Sequence, residues 1–329
     1  MQEVAVIIGG SGYIGKFLIR SLLASGKYAR IYNLDLKPSG IMDSRLVERY
    51  SDIRNPMQAE VEGFDGNRDW IIYLAALCRE PGSEPREYFD TNMVGTGNVI
   101  SFAECLNAQR IFFTSTMSTY GRAAEPTPES TPQYAETPYG ISKLVAEKMH
   151  LAWLAADKSR RLIICRPSVI FGPNDVGNIL RMIKAIGKGY FFFPGDPGIH
   201  KAYGYIHGLI ESFHFAMDRI GEPVITYNYA EWPQHDLRGM VETIKSVTGK
   251  RAFTMKLPLP LLVGISHLIQ FLMGLIGKSS PIHPVRVRKV ASPTFIKPQY
   301  LLNAGFAFKY PLERALEHWR AEAPADFEK

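Results

Sequence analysis

Between an apolar strand and an apolar helix the chain carries Gly9, Gly12 and Gly15, in "IIGGSGYIG". No other feature constrains the fold as much. Glycines there let the backbone turn sharply out of a strand. They also leave the first N–H groups and the positive end of the helix, opened by Tyr13 and Ile14, accessible to a pyrophosphate. A glycine trio alone is weak evidence, but here the strand before it and the helix after it supply the context. Twenty residues beyond Gly15, Asp35 closes a second strand. A carboxylate at that spacing can accept both hydroxyls of an adenine ribose and would repel a 2′-phosphate, so NAD is expected. Lys37 nearby leaves NADP open, and a plain turn aspartate is the alternative for Asp35.

The first half of the chain then alternates. "ARIYNLDL", "DWIIYLAAL", "RIFFTS" and "RLIICRPSVIFG" read as buried strands. "YIGKFLIRSLLASG", "TNMVGTGNVISFAECLNA" and "YGISKLVAEKMHLAWLAA" read as helices between them. Continuous β-branched runs alternating with helices imply an α/β fold of Rossmann type, a doubly wound parallel sheet. A smaller C-terminal substrate-binding lobe is expected. The nucleotide domain is expected to span 1–170 plus about 205–230, and the lobe about 171–204 and 231–329. Asp52 and Ile53, after a third strand, could read an adenine edge, although an Asp turn is common. Leu74, Ala75 and Ala76 end a strand, and the small Ala75 and Ala76 permit close approach of a cofactor.

The chemistry is sought among hydroxyls. "FFTSTMSTYG" places six of them after an apolar strand. A phenol titrates near 10 and needs a neighbouring cation to work as a base at neutral pH. Tyr139 has Lys143 four residues on, on the same helix face. Tyr120 has Ala124 there instead, so Tyr139 is the acid/base candidate. Thr114 and Ser115 read as strand-end residues near the cofactor.

Taken in order, these residues resemble the extended short-chain dehydrogenase/reductase family, in its NAD-dependent epimerase/dehydratase branch. The shared features are the glycine trio, Asp35, Asp52–Ile53, "LAA" at 74–76, Asn92 in "TNMVGTGNV", the hydroxyl-rich strand end, "YGISK" and "RPSVIFGP". They cover the chain to about residue 175. The resemblance implies a catalytic set of Thr116, Tyr139 and Lys143. Thr116 would hold the reacting oxygen, Tyr139 would take its proton, and Lys143 would bind the ribose and lower the Tyr pKa. It also implies that Pro167 through Ile170, Val169 among them, lie along the nicotinamide. Asn92 would support the cofactor site through backbone hydrogen bonds, with a helix-cap role as the alternative. Dehydratases of this branch carry Asp-Glu after the Ser/Thr. Met117 and Ser118 stand there instead, which removes the elimination chemistry.

What remains is an epimerase or 4-keto reductase acting on a nucleotide-diphosphate sugar, with Thr116, Met117, Tyr139 and Arg181 at the substrate. Lys184, Lys188, His200 and Lys201 are further candidates for the diphosphate, against the reading that they form a solvated face. The alternatives are a 3β-hydroxysteroid-dehydrogenase-like oxidoreductase, suggested by "RPSVIFG", and a non-catalytic dinucleotide-binding protein. A homodimer through the helices at 92–107 and 140–156 is also implied.

Composition adds little. Net charge is +6, and the basic residues form no long block, so nucleic acid is not expected as a partner. The three cysteines form no CxxC pair, and no metal site is expected; Cys105 and Cys165 read as small core residues. The start shows no basic leader, and cytoplasm is the expectation. The segment 257–277 has no charged residue across 21 positions. Pro258 and Pro260 shorten its helical part to about 261–276, too short to span a bilayer. Ser266, His267, Gln270 and Gly274 would form a narrow polar stripe. One reading packs this helix in the lobe or a dimer interface. The other lays it on a membrane surface, aided by "VRVRK" at 285–289.

Overall fold

A computed structural model describes residues 2–78, 82–275 and 284–328. Seven strands form one sheet: β1 (Glu3–Ile8), β2 (Tyr28–Asp35), β3 (Leu46–Tyr50), β4 (Trp70–Tyr73), β5 (Arg110–Thr114), β6 (Arg161–Pro167) and β7 (Val224–Tyr229). Their order is β7-β6-β5-β4-β1-β2-β3, and every pairing is parallel. The direction of winding reverses between β1 and β4. In such sheets ligands bind beyond the C-terminal strand ends at that reversal.

The two-residue period of a strand explains how both faces are covered. Ala5 and Ile7 of β1 join a core with Leu18, Ile19 and Leu22 of α1 (Tyr13–Ser25). Val4, Val6 and Ile8 point to the opposite core, with Val99 and Phe102 of α2 (Gly95–Cys105) and Ala146 and Trp153 of α3 (Pro138–Ala155). The run is apolar throughout because neither face meets water.

The expected helix over 91–108 is not uniform. Asp90–Val94 form a π-helical turn before α2 begins at Gly95. The expected strand "RLIICRPSVIFG" breaks after Pro167. Val169–Phe171 leave the main sheet and pair with Tyr203–Tyr205, so the chain exits toward the lobe. The region 172–204 holds α4 (Asn178–Gly187) and the strand Tyr190–Pro194, which pairs with Phe253–Leu257. Helices α5 (Ile206–Met217), α6 (Leu237–Thr248), α7 (Leu259–Leu275), α8 (Pro284–Ala291) and α9 (Leu312–Glu322) follow.

Two expectations change. Cys165 is buried as expected, but Cys105, at the end of α2, is exposed. Helix α7 is not packed away within the lobe, because Ser266 is its one buried residue, its hydroxyl bonding the Val263 carbonyl. The stripe that was to be polar is therefore split, with Ser266 inward and His267, Gln270 and Gly274 outward. Ile276 and Gly277 lie outside the described residues.

Candidate active site

One cleft of about 1080 Å³ opens at the C-terminal strand ends. Of the residues proposed from sequence, it is lined by Gly9, Gly12, Tyr13, Ile14, Gly15, Asp35, Asp52, Ile53, Leu74, Ala75, Ala76, Thr114, Thr116, Tyr139, Lys143 and Pro167. Residues from six strand ends and two helix starts thus meet at one place.

The glycine loop is fixed by close backbone contact. Gly9 has φ +90°, and a Cβ there would lie 2.4 Å from the Ala75 nitrogen. The loop therefore needs glycine both for its conformation and for the strand end it abuts. Helix α1 starts after Gly12 with no side-chain cap, so its first N–H groups are available to an anion. Asp35 Oδ2 accepts from the Ser11 N–H at 2.9 Å, which ties the loop to the end of β2. Thr114 Oγ1 and Ser168 Oγ also line the cleft, buried and without a hydrogen-bond partner among the described residues. A polar ligand in the cleft would relieve that cost. The open helix end, the Asp35 carboxylate and the two orphaned hydroxyls fit a dinucleotide.

Helix α3 carries the acid/base candidates. Thr137 caps it by accepting from the Gly140 N–H at 3.1 Å, and Pro138 takes its first position. A Cβ on Gly140 would lie 2.5 Å from the Ser118 carbonyl oxygen. Only glycine after Tyr139 lets the start of α3 press against the turn at Met117–Tyr120, which brings Tyr139 to the same cleft as Thr116. Thr116 caps that turn, its hydroxyl accepting from the Ser118 N–H at 3.2 Å.

Lys143 is 2% exposed. Its Nζ lies 4.1 Å from the Phe113 ring centre and 5.7 Å from that of Tyr73. Burial pushes its pKa down to about 7, with Glu147 and Cys78 pulling the other way. His150, stacked on Phe113 at 4.2 Å, is pushed to about 3 by burial and stays neutral, so it adds no competing charge at neutral pH.

The inward face of α3 continues past the expected motif. Lys143, Glu147 and His150 are all buried at helical spacing. Glu147 receives Arg166 through two bonds, Nε at 2.9 Å and Nη2 at 2.7 Å, together with Gln133 at 2.9 Å and the Ser115 hydroxyl. Arg166 Nη1 also donates to the Tyr120 hydroxyl at 2.6 Å, which in turn donates to Asn228 at 2.9 Å. Glu147 was missed from sequence, yet continuing the Tyr139–Lys143 spacing by one more turn reaches it. Glu147→Ala strands the buried guanidinium and is expected to lower unfolding free energy by about 3–5 kcal/mol. Urea denaturation checks this, and a loss below about 1 kcal/mol would show the pair to be unimportant.

Four proposed residues lie away from the cleft. Asn92 is buried, its amide spent on the Leu77 N–H and carbonyl and on Ser142 at 2.8, 3.0 and 2.9 Å. It joins the strand end to α3 and positions the site without lining it. Val169 belongs to the strand that turned toward Tyr203, while its neighbours Ser168 and Ile170 line the cleft. Met117 packs against Tyr120, Ala123, Ala202, Ala230 and Ile296. Arg181, on α4, bonds Asn178 at 3.0 Å on the surface. Lys201 is held by the carbonyls of Lys289 and Ser292, and so braces the end of α8.

The sequence model of the NAD dependent epimerase/dehydratase family matches residues 5–229. An N-acetyl-alpha-D-glucosaminyl-diphospho-ditrans,octacis-undecaprenol 4-epimerase of Escherichia coli O157:H7 is 28% identical over 320 residues, covering 96% of this chain and 94% of that protein. A UDP-glucose 4-epimerase of Lacticaseibacillus casei is 36% identical over 157 residues, 45% of this chain and 46% of its own. In fold, the chain resembles the UDP-glucose 4-epimerase of Thermotoga maritima, with a TM-score of 0.73, 18% identity and coverage of 99% and 100%. The NAD complex of the Thermus thermophilus UDP-glucose 4-epimerase gives 0.70, 19%, 96% and 97%.

Proposed function

The chain belongs to the NAD dependent epimerase/dehydratase family, and from that membership we propose that it is an NAD-dependent 4-epimerase of a hexose carried on a nucleoside diphosphate. The observation that carries the reading is the meeting of Thr116, Tyr139 and Lys143 with the glycine loop in one cleft. The residues after Thr116 are Met117, packed into an apolar cluster, and Ser118, so no carboxylic pair stands there to drive elimination.

When bound, NAD would supply a reversible hydride acceptor in this cleft. Asp35 would hold the adenine ribose, the start of α1 the pyrophosphate, and Lys143 the nicotinamide ribose. Thr116 holds the C4 hydroxyl of the sugar. Tyr139, with its phenol acidified by the Lys143 ammonium, would take the hydroxyl proton when C4 is oxidised. It would return that proton to the same oxygen when C4 is reduced again on its other face, so the full cycle is redox-neutral. The working unit is a homodimer through α2 and α3.

A second reading has its own support. The relative that spans nearly the whole chain is named for a sugar carried on diphospho-undecaprenol, a lipid. A diphosphate is common to both carriers, so the two readings share every step above. The test incubates the protein with UDP-N-acetylglucosamine, UDP-glucose and a polyprenyl-diphospho-N-acetylglucosamine, and follows C4 configuration by proton NMR and NADH by absorbance. Exchange of C4 epimers without NADH accumulation is expected. Stoichiometric NADH would replace the epimerase with a dehydrogenase, and exchange confined to the lipid-borne sugar would select the second carrier.

A further inference from the structure

Helix α7 presents a long apolar stripe to solvent. Leu261, Ile265, Leu268, Leu272 and Leu275 recur at three- and four-residue steps and are all exposed, Leu275 at 69%. Phe271 beside them is 64% exposed. The strand leading into this helix adds a second apolar surface. In the Tyr190–Pro194 and Phe253–Leu257 ladder, Phe253 sits opposite Tyr190 and Met255 opposite Phe192, and all four are exposed. Apolar surface on this scale is not left to water without a purpose.

The charge around it is one-sided. Between positions 243 and 312 the sequence holds ten Lys and Arg and no Asp or Glu. The rest of the chain holds 28 basic and 32 acidic residues, so the positive charge of the protein is concentrated in this segment. Lys250, Arg251, Lys256, Arg288 and Lys289 are exposed on the elements that flank α7. Among the described residues no helix is long and apolar enough to cross a membrane. At 17 residues α7 is about 25 Å long, short of a bilayer core, and suits lying along a surface.

We propose that this face docks the protein on an anionic phospholipid bilayer, with α7 lying in the interface and the flanking Lys and Arg meeting the headgroups. A second copy of the chain is the competing occupant. A two-fold interface would set this acid-free segment against itself, cation against cation, with no anion of its own to offset the repulsion. An anionic surface supplies that offset. The proposal is independent of the sugar carrier and of the epimerase reading.

The full chain is sedimented with vesicles of phosphatidylglycerol and phosphatidylcholine, and with vesicles of phosphatidylcholine alone, at low and high salt. Its mass without lipid is measured by light scattering. No substrate is present, so the result does not depend on turnover. The protein is expected to bind the mixed vesicles at least ~10-fold better than the neutral ones, with the advantage shrinking as salt is raised. Leu268→Glu with Leu272→Glu is expected to abolish binding while leaving the thermal midpoint and the solution mass unchanged. Should that variant misfold, Arg288→Glu with Lys289→Glu, at exposed positions, is expected to lower anionic-vesicle binding at least ~10-fold. Absence of binding to the mixed vesicles overturns the proposal. So does a halved solution mass in Leu268→Glu with Leu272→Glu, which would show the face to be covered by a second copy.

Discussion

Tyr139→Phe is expected to lower kcat by a factor on the order of 10²–10⁴, the usual contribution of a positioned acid/base. The substitution removes one oxygen and leaves the ring, which packs near Tyr88 at 6.3 Å between centres. The glycine loop, Asp35 and Lys143 are untouched, so NAD affinity is expected to stay within about threefold, a difference under about 1 kcal/mol. A loss in kcat with unchanged cofactor binding is the signature of a group used in the chemical step. Tyr120 cannot substitute. Tyr120 is buried, and its hydroxyl is committed to Arg166 and Asn228. Initial rates of epimer exchange, with a calorimetric titration of NAD, check both halves. Wild-type turnover in the variant would remove Tyr139 from the reaction.

Most residues lining the cleft were legible in the sequence because its parts are local. The glycine loop, Asp35 at the end of β2 and the Tyr139–Lys143 pair each depend on a few neighbouring residues and a known period. The ends of parallel strands then necessarily converge, since the sheet places them at one edge. The misreadings arose where the chain makes non-local choices. Val169 looked like a continuation of β6, and nothing nearby signals that Val169–Phe171 would pair with Tyr203–Tyr205. Asn92, expected to support the site through backbone hydrogen bonds, bonds the Leu77 backbone and the Ser142 hydroxyl and lies behind the cleft rather than in its lining. Arg181 was chosen by charge alone, and charge does not tell which face of an amphipathic helix meets the ligand. The role of Tyr120 is set by Arg166 and Asn228, 46 and 108 residues away in sequence.

Lys143→Met is expected to make the protein more stable and nearly inactive. The ammonium sits on the Phe113 ring in a buried site, and its pKa falls to about 7 because burial penalises the charged form. An unfolded lysine titrates near 10.4. Between about pH 7 and 10 the unfolded chain therefore binds more protons than the folded one, and stability rises with pH across that window. Below it, folding carries the full cost of a buried charge. Methionine fills similar space without that charge and contacts aromatic rings well. At pH 7 and without cofactor, the variant should be more stable by on the order of 2–4 kcal/mol, after allowing for the lost cation–π contact. The advantage should shrink toward zero as pH approaches about 10. Over the same range kcat should be lower by a factor on the order of 10² or more, because nothing then acidifies Tyr139. Urea titrations of both proteins from pH 6 to about 10 test this, the range following from the two pKa values. A variant less stable at pH 7, with a difference that ignores pH, would show that the lysine is comfortably charged in its pocket. The expected opposite result would mean that the fold tolerates a strained cation because the reaction requires one beside Tyr139.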